Sequence, residues 1–168
     1  MIALPAALGG PATLSAWRID AERFRDTWDR GEGARLHGGR WNSPGRAAVY
    51  LSIEPATAIL EVAVHKNVTV LGRLPHVMTA VVLDVPAKVM VVQPEDVPNR
   101  EWLRPGWPTQ DQQAYGDTML AQHPMVLLPS VVSPYSWNLV WNPATARGLF
   151  RVAQQESFTL DSRLREAV

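Results

Sequence analysis

The order of apolar and polar residues divides this chain into short strand-like runs separated by a few helical ones. Runs rich in apolar and β-branched residues predict strands. They lie at residues 16–19, 47–52, 77–85, 88–93, 125–132, 136–143 and 157–162, the fifth being interrupted by a proline. Helical spacing predicts helices at residues 21–30, 55–65 and 109–122. Together these elements predict an α+β domain in which helices flank a central mixed or antiparallel sheet.

The first predicted helix, residues 21–30, carries two aromatic residues four positions apart. Phe24 and Trp28 would lie on one face of this helix, with charged residues on the other. Because a pair of aromatic residues at this spacing is typical of core packing, we expect both side chains to be buried.

The second predicted helix, residues 55–65, begins with a proline, which fits the first turn of a helix. Glu54, Thr57, Glu61 and His65 form one narrow polar stripe, and most other positions are Ala, Ile, Leu or Val. Such a helix is expected to be mostly buried. The stripe has two interpretations. It is the solvent-facing edge of the helix, or it lines a pocket whose apolar frame perturbs the pKa of Glu61.

Two predicted loops have an unusual composition. Residues 31–45 contain five glycines and one proline, which favours a loop over a regular element. Residues 94–108 are rich in proline and contain Trp102 and Trp107. We expect these two side chains to anchor the loop to the surface, with contact to a partner as the alternative. Gly116 is a weak point inside the third predicted helix.

Length and charge limit the number of domains and the range of partners. A chain of 168 residues with 46% apolar residues fits one domain over residues 1–168, with a loose N-terminal segment at residues 1–14. Sixteen basic residues balance sixteen acidic ones, so no overall field attracts nucleic acid or an anionic membrane. We therefore expect this chain to bind neither of them directly.

The absence of cysteine excludes disulfides, thiolate zinc sites and a cysteine nucleophile. The N terminus lacks the basic and long apolar regions of a signal peptide. No run of residues approaches the roughly 20 apolar residues of a membrane helix. We expect a soluble, cytoplasmic protein.

Several standard catalytic motifs are missing from the sequence. The four histidines, His37, His65, His76 and His123, have no HExxH or paired ligand spacing, so we expect no metal site. There is no GxxxxGK[ST] motif and no GxGxxG motif after a strand, which excludes the usual phosphate-binding loops. Without GxSxG, Ser130 has no nucleophile elbow. Hydrolysis through a side-chain nucleophile therefore has no support.

Five polar residues at or beside predicted elements remain as candidates, namely Arg18, Arg40, Tyr50, Glu61 and Ser130. Arginine binds phosphate through a planar fork, nearby glycines allow close approach of the backbone, and tyrosine stacks on a flat ring. A carboxylate stabilises a developing cation. These groups suit a dinucleotide whose glycosidic bond is broken, as in NAD+. Each residue alone also has an ordinary role as a surface arginine, a core tyrosine, a solvent-exposed glutamate or a turn serine.

Several motifs resemble those of the RES domain family, which is named for an Arg, a Glu and a Ser. The resemblance covers almost the whole chain. It rests on WRI at 17–19, GEGARLHGGRWNSPG at 31–45, AVYLS at 48–52, ATAILEVAVH at 56–65, LLPSVV at 127–132, NLVWNP at 138–143 and FTLDSRL at 158–164. It implies a fold similar to ADP-ribosyltransferases and an enzyme that consumes NAD+ as substrate. It further implies the toxin of a bacterial toxin–antitoxin pair, with an Xre-type antitoxin as partner and a toxin homodimer within a larger assembly.

The resemblance also assigns roles to individual residues. Arg40, with Arg18 as a second candidate, Glu61 and Ser130 correspond to the residues in the family name. Arg18 and Arg40 would bind the pyrophosphate or ribose of NAD+, and Glu61 would stabilise the ribosyl cation. Tyr50 would position nicotinamide, and Ser130 would hold the nicotinamide end, so that Glu61, Arg40, Tyr50 and Ser130 form the catalytic group. The other residues implied to bind NAD+ are Gly39, Trp41, Asn42 and Asn142.

Two positions depart from the family pattern. Trp17 stands where many members have Tyr, and residues 144–147 (ATAR) stand where a His often follows, which leaves the role of the wall near Asn142 open. Three functions remain. The chain depletes NAD+ by glycohydrolase or phosphorylase activity and is neutralised by an antitoxin, or it ADP-ribosylates a cellular protein, or it is a binding module without enzyme activity. The sequence does not decide between water, phosphate and a protein side chain as acceptor.

Overall fold

One seven-stranded sheet organises the part of the chain that the structure, a computed structural model, describes: residues 13–65, 74–84 and 88–161. The strands are β1 (Ser15–Ala21), β2 (Val49–Ser52), β3 (His76–Leu83), β4 (Val89–Val91), β5 (Met125–Pro129), β6 (Trp137–Trp141) and β7 (Phe150–Phe158). The α-helices in these ranges are α1 (Glu32–His37), α2 (Pro55–His65) and α3 (Gln110–Gln122). The predicted α+β class is confirmed.

The order of strands across the sheet is β4-β5-β6-β2-β1-β3-β7. The pair β4–β5 is parallel, and all other neighbouring pairs are antiparallel. The sheet is therefore mixed, as the sequence predicted.

The middle of the sheet is buried on both faces, because successive side chains of β6 enter two different clusters. Leu139 and Trp141 pack into one cluster with Trp28, whose ring meets that of Trp141 edge-on at 6.0 Å. Val140 packs into the other cluster with Trp41 and part of α3. The second face of the sheet thus holds the glycine-rich segment around Trp41 in place.

The prediction of a helix at residues 21–30 is wrong, because β1 pairs with β3 as far as Ala21 and leaves little room for one. Two short 3-10 turns follow instead, Glu22–Phe24 and Trp28–Arg30. Trp28 is buried as expected. Phe24, in contrast, is 44% exposed and packs against the guanidinium of its neighbour Arg23.

The glycine-rich segment is not the continuous loop that we predicted at residues 31–45, since α1 forms inside it. Gly31 precedes this helix and Gly38 follows it, both with positive φ. A Cβ atom on Gly31 would lie 2.8 Å from the carbonyl oxygen of Ala48, so the chain needs glycine there on two counts. Because α1 has only six residues and lies in a glycine-rich segment, the sequence pattern did not reveal this helix.

The helices predicted at residues 55–65 and 109–122 are confirmed as α2 and α3. The hydroxyl of Thr109 accepts a hydrogen bond from the backbone N–H of Gln112 and so caps α3. Gly116 is not a weak point. A Cβ atom there would lie 2.1 Å from the carbonyl oxygen of Trp41, so the glycine allows α3 to approach the glycine-rich segment closely.

The two tryptophans of the proline-rich segment differ in burial. Trp102 is buried and anchors the segment as expected, in a 3-10 turn at Arg100–Leu103. Trp107 is 96% exposed, so its expected anchoring role is wrong. The buried Trp102 packs against the ring of Tyr115 on α3 and helps to hold the segment.

The remaining strands lie close to their predicted positions, except the last. β7 begins at Phe150, seven residues before the predicted run at 157–162, because this edge strand is exposed on both faces and has no apolar periodicity. Most of the predicted N-terminal segment lies outside the described residues, and of its last residues Leu14 is buried in the core.

Candidate functional site

Helix α2 turns the two middle residues of the polar stripe, Thr57 and Glu61, towards the protein, whereas Glu54 and His65 are exposed. Thr57 is buried, and the side chain of Glu61 is only 20% exposed, so the solvent-facing interpretation is wrong for both. Leu60 and Val64 are 45% and 64% exposed, so the expectation of a mostly buried helix is also wrong. Leu60 and Val64 face outward, whereas the inner face of the helix meets polar partners from the first residues of β6 and from the segment after β5.

Glu61 is the centre of a group of four side chains from separate elements. Its Oε1 atom accepts hydrogen bonds from the hydroxyl of Ser130, at 3.0 Å, and from Nδ2 of Asn138. Ser52, on β2, donates its hydroxyl proton to Oδ1 of Asn138 at 2.9 Å. We call these four residues, Ser52, Glu61, Ser130 and Asn138, the Glu61 cluster. The other carboxylate oxygen, Oε2, lies 3.4 Å from Nε2 of the exposed His65.

The segment between β5 and β6 fixes Ser130 in this cluster. Pro129 ends β5, and the chain then closes a short turn in which the backbone N–H of Ser130 donates to the carbonyl oxygen of Ser136. The hydroxyl of Ser130 also accepts from the backbone N–H of Ser133. The buried hydroxyls of Thr57 and Ser136 join the turn to α2 at 2.9 Å. Helix and turn are thereby held together on both sides of Glu61.

The contacts of Glu61 favour its ionised form. Burial raises the pKa of the carboxyl, but hydrogen bonds from His65, Asn138 and Ser130 lower it by more, so the pKa lies below its usual value. A carboxylate with this many donors is negatively charged at neutral pH. It presents a fixed negative charge at a partly enclosed position.

Arg40 lies within electrostatic range of that charge. Partial burial lowers the pKa of its guanidinium, and attraction by Glu61 opposes this effect. The guanidinium donates to the carbonyl oxygen of Gly106 at 2.7 Å and to that of Trp102 at 3.3 Å. Arg40 therefore links the glycine-rich segment to the proline-rich one, beside Glu61. Because guanidinium has five N–H donors, these two bonds leave others available for a ligand.

Tyr50 and Asn42 form the interior of the glycine-rich segment. The Tyr50 hydroxyl donates to Oδ1 of Asn42 at 2.7 Å and accepts from the backbone N–H of Trp41 at 3.0 Å. Burial raises the pKa of this phenol well above its usual value. The fully buried Asn42 donates to the carbonyl oxygens of Ala34 and Arg46. These bonds shape the segment that carries Arg40.

Gly39 and Trp41 belong to the same scaffold. A Cβ atom on Gly39 would lie 2.7 Å from the Tyr50 hydroxyl oxygen, so only glycine fits beside that ring. The Trp41 side chain is buried against Tyr115 of α3. The two residues therefore position Arg40, which lies between them, against β2 and α3.

Arg18 lies on β1 next to Tyr50. Its guanidinium forms two hydrogen bonds of 2.7 Å to the carboxylate of Asp20 and donates to the backbone carbonyl oxygen of Tyr50 at 2.9 Å. Asp20 is nearly buried, so this ion pair is well shielded. The hydrogen bonds of the described residues connect Arg18 with Tyr50 but not with Glu61.

Asn142 lies at the opposite end of β6 from Asn138. Its Oδ1 atom accepts from the backbone N–H of Ala144, within its own turn. It lines a cleft of about 210 Å³, which we call the Asn142 cleft; the other lining residues are Arg46, Ala47, Asp117, Leu120 and Ala121. Four residues of extended strand span roughly 13 Å, so the structure does not bring Asn142 into contact with the Glu61 cluster.

The structure thus joins Glu61 to Ser130 by a hydrogen bond and places Arg40 within electrostatic range of Glu61, while Tyr50 supports the segment that carries Arg40. The sequence did not single out Asn138 or Ser52. A signal existed for Asn138, because it is a polar residue at an inward position of a strand whose other residues are all apolar. Among the described residues, no group of three or more His, Asp or Glu side chains is placed to hold a metal ion. No described helix has the length and apolarity needed to cross a membrane.

Comparisons with known proteins show which family the chain resembles. The family model described as RES domain matches residues 15–161. A protein of Sphingobium sp. (strain YBL2), named Prs ADP-ribosylating toxin, is 34% identical over 143 residues, which cover 79% of this chain and 84% of that protein. A Pseudomonas putida protein named Toxin Res is 33% identical over 152 residues, covering 88% of this chain and 97% of its own length.

Among solved structures, a chain of the M. tuberculosis MbcT–MbcA toxin–antitoxin complex has a similar fold. The TM-score is 0.70 with 22% sequence identity, and the match covers 92% of this chain and 90% of that chain. At this level of identity the likeness concerns the fold alone.

Proposed function

This chain belongs to the RES domain family, and on that premise we propose that it is an enzyme that cleaves the nicotinamide–ribose bond of NAD+ and acts as the toxin of a toxin–antitoxin pair. The observation that carries this proposal is Glu61, an ionised carboxylate held by Ser130 and Asn138 in a partly enclosed position within electrostatic range of Arg40. The names of the curated relatives support the same class of protein.

The reaction needs a stabilised cation more than it needs an acid. When the bond between ribose C1′ and the pyridinium nitrogen breaks, its electron pair moves to the nitrogen and nicotinamide leaves as a neutral molecule. The ribose then resembles an oxocarbenium ion, which a fixed carboxylate stabilises. Water or phosphate attacks C1′ and loses a proton, so the products are nicotinamide and ADP-ribose or its 1″-phosphate.

The remaining polar residues would bind the rest of NAD+. We assign the pyrophosphate and ribose to Arg40 and Arg18, using N–H groups that the present hydrogen bonds leave available. Tyr50 would position nicotinamide with its ring, because its hydroxyl is occupied inside the protein. Ser130 would hold the nicotinamide end, where it already contacts Glu61. Gly39, Trp41 and Asn42 would shape the pocket, and Asn142 would support it only through its turn.

Release of nicotinamide from NAD+ by the purified protein tests the proposal. We expect release by the wild type and almost none by Glu61→Ala. Glu156→Ala, which removes an exposed carboxylate from β7, is the matched control and should retain activity. If the folded wild type releases no nicotinamide, either alone or with a cell lysate that supplies protein acceptors, the enzymatic proposal is wrong, and a binding module without enzyme activity becomes the better hypothesis.

ADP-ribosylation of a protein is the second candidate, favoured by the name of the Sphingobium relative. Two exposed aromatic side chains suit contact with a protein acceptor. Trp107 follows the glycine whose carbonyl oxygen accepts from Arg40, and Tyr135 lies in the turn that contains Ser130. NAD+ labelled in the ADP-ribose part, incubated with a cell lysate, separates the two activities. Label on a protein band supports the transferase, and label only in free products supports NAD+ depletion.

We further propose that an antitoxin covers the outer face of α2. Leu60 and Val64 flank Glu61 on this helix and are exposed, so a partner that buries them also closes access to the carboxylate. The complex seen for the structural neighbour supports a partner of this kind. An Xre-type antitoxin and a toxin homodimer are expected from the family resemblance. Co-expression with a helix-turn-helix protein encoded beside this gene, followed by co-purification, tests this proposal. Leu60→Asp should weaken the complex while the toxin stays folded, and a complex of unchanged strength would contradict the proposed position of the partner.

A further inference from the structure

The two oxygens of the Glu61 carboxylate have different surroundings. Both donors from the body of the protein, the Ser130 hydroxyl and the Asn138 amide, bind the same atom, Oε1. The contact recorded for Oε2 is His65, which is largely exposed on the last turn of α2. The carboxylate is therefore held by one oxygen, and the other points towards the more open side.

The neighbouring strand fixes the orientation of the Asn138 amide. Ser52 and Asn138 face each other in the β2–β6 register, and the Ser52 hydroxyl donates to Oδ1 of Asn138. This bond leaves Nδ2 directed at Glu61. A reversed amide would place Oδ1 against the carboxylate, where two partial or full negative charges repel each other. The Asn138 donor is thus set by the sheet.

We propose that Asn138 is a positioning residue, which together with Ser52 holds Oε1 of Glu61 so that Oε2 faces the ribose C1′ of NAD+. This inference rests on the proposed function and adds to it a residue and a role. Oriented hydrogen bonds of this kind reduce the reorganisation that the transition state would otherwise require. Asn138 itself touches neither NAD+ nor the reacting atoms.

Two further ionisable groups near Glu61 enter the design of a test. His65 belongs to the same helix, and Arg40 approaches from the glycine-rich segment. Both remain in place when Asn138 is changed. The variant Asn138→Asp keeps the shape of the side chain, removes the N–H donor and adds a negative charge next to Oε1. Its effect is therefore specific to the contact between residues 138 and 61.

The test combines a titration with kinetics. The pKa of the Glu61 carboxyl is measured by NMR on protein with carbon-13-labelled glutamate, and the resonance is assigned with Glu61→Gln. We expect Asn138→Asp to raise this pKa, to lower kcat for nicotinamide release at pH 7 by roughly 10-fold to 100-fold, and to shift the acidic limb of the pH profile upward. KM for NAD+ should change much less, because binding does not depend on Asn138.

Asn99→Asp is the matched control, since it makes the same chemical change at an exposed position of a 3-10 turn. It should leave the Glu61 pKa and kcat unaltered. An unchanged Glu61 pKa and an unchanged kcat in folded Asn138→Asp would overturn the inference. A loss of kcat with equal effect from Asn99→Asp would overturn it as well.

Ser52→Ala keeps the inference testable if Asn138→Asp does not fold. This variant removes the bond that orients the amide, so it should raise the Glu61 pKa and lower kcat in the same direction, by a smaller factor. No change in either quantity would contradict the role of Ser52 and Asn138. If the wild type releases no nicotinamide, the proposed function fails, while the NMR titration still decides whether Asn138 controls the carboxylate.

Discussion

The two ends of strand β6 each carry an asparagine near a carboxylate, yet they are built differently. At its start, Asn138 joins Glu61 to side chains from three other parts of the chain. At its end, the side chain of Asn142 bonds within its own turn, and the nearby Asp117 accepts from the backbone N–H of Ser43. Asp117 also contacts the exposed Arg46 at 3.4 Å.

The difference lies in what holds each carboxylate. The partners of Asp117 are the backbone amide of Ser43 and the exposed side chain of Arg46. Asp117 therefore fastens the glycine-rich segment to α3. The partners of Glu61 are side chains from β5–β6 and α2, none of which needs a carboxylate for its own fold. The Asn142 cleft is an opening of about 210 Å³ in the surface, whereas the Glu61 cluster holds a carboxylate in a fixed orientation. An opening in the surface is therefore a poorer guide to chemistry here than the contacts of a carboxylate.

Removing each carboxylate charge is the strongest test of this contrast. We expect Glu61→Gln to lower nicotinamide release by roughly 100-fold to 1000-fold, because the oxocarbenium-like transition state loses its fixed negative charge. Asp117→Asn keeps an oxygen for the Ser43 N–H and loses only a surface ion pair, so release should stay within about two-fold of wild type. Initial rates of nicotinamide formation measure both. Similar losses in the two variants would abolish the distinction.

Close packing between α3 and the glycine-rich segment, near the Asn142 end of β6, should matter for stability. Gly116→Ala brings a methyl group against the backbone of Trp41, where neither helix nor loop has room. We expect the free energy of unfolding to fall by roughly 3 kcal/mol or more, measured by urea denaturation. Gly33→Ala is the control, because a Cβ atom there meets nothing within 4 Å and alanine favours helix α1. A stable Gly116→Ala variant would mean that α3 packs less closely than described.

The pH dependence of stability tests the contacts of Glu61 at the Asn138 end of β6. Because the folded protein lowers the Glu61 pKa below 4.5, ionised Glu61 stabilises the fold at pH values above its unfolded pKa, and this stabilisation is lost as the pH falls through the folded pKa. The stability difference between wild type and Glu61→Gln should therefore be constant near pH 7 and shrink below about pH 4.5. Denaturation curves at several pH values measure it. A difference that grows on acidification would contradict the hydrogen bonding described for Oε1.

The smallest effect is expected for Asn142, at the opposite end of β6 from Asn138. Asn142→Ala removes the hydrogen bond from the Ala144 N–H, which should cost about 0.5–1.5 kcal/mol of unfolding free energy. Its loss of nicotinamide release should be smaller than that of Asn138→Ala. Thermal denaturation and the same activity assay give the comparison. A greater loss of activity in Asn142→Ala would move the NAD+ pocket towards the Asn142 cleft.

The sequence predicted α2 to within a residue, but not its orientation. Pro55 and the apolar spacing define a helix locally, whereas its buried face depends on partners that lie far along the chain. Ser130 and Asn138 follow Glu61 by 69 and 77 residues. Without them, Leu60 and Val64 look like core residues and Glu61 like a surface one. The existence of the helix was therefore predictable from the sequence, whereas the face that it turns towards the protein was not.

The same reasoning applies to the other differences. The five residues Arg18, Arg40, Tyr50, Glu61 and Ser130 were found from side-chain chemistry and family motifs, which do not depend on distance. Asn138 has ordinary chemistry and gains its role from one contact, so no local pattern identified it. Edge strand β7 was misplaced because strand periodicity comes from one buried face, which this strand lacks.

The pairing of β2 with β6 delays assembly of the Glu61 cluster while the chain is being synthesised. Ser52 on β2 pairs with Asn138 on β6, which follows 86 residues later. The strands on the β4 side of the sheet meet those on the β7 side only through the pairing of β2 with β6. At roughly 5–20 residues per second, Asn138 is added some seconds after Glu61. A nascent chain that ends before Asn138 therefore lacks the complete Glu61 cluster.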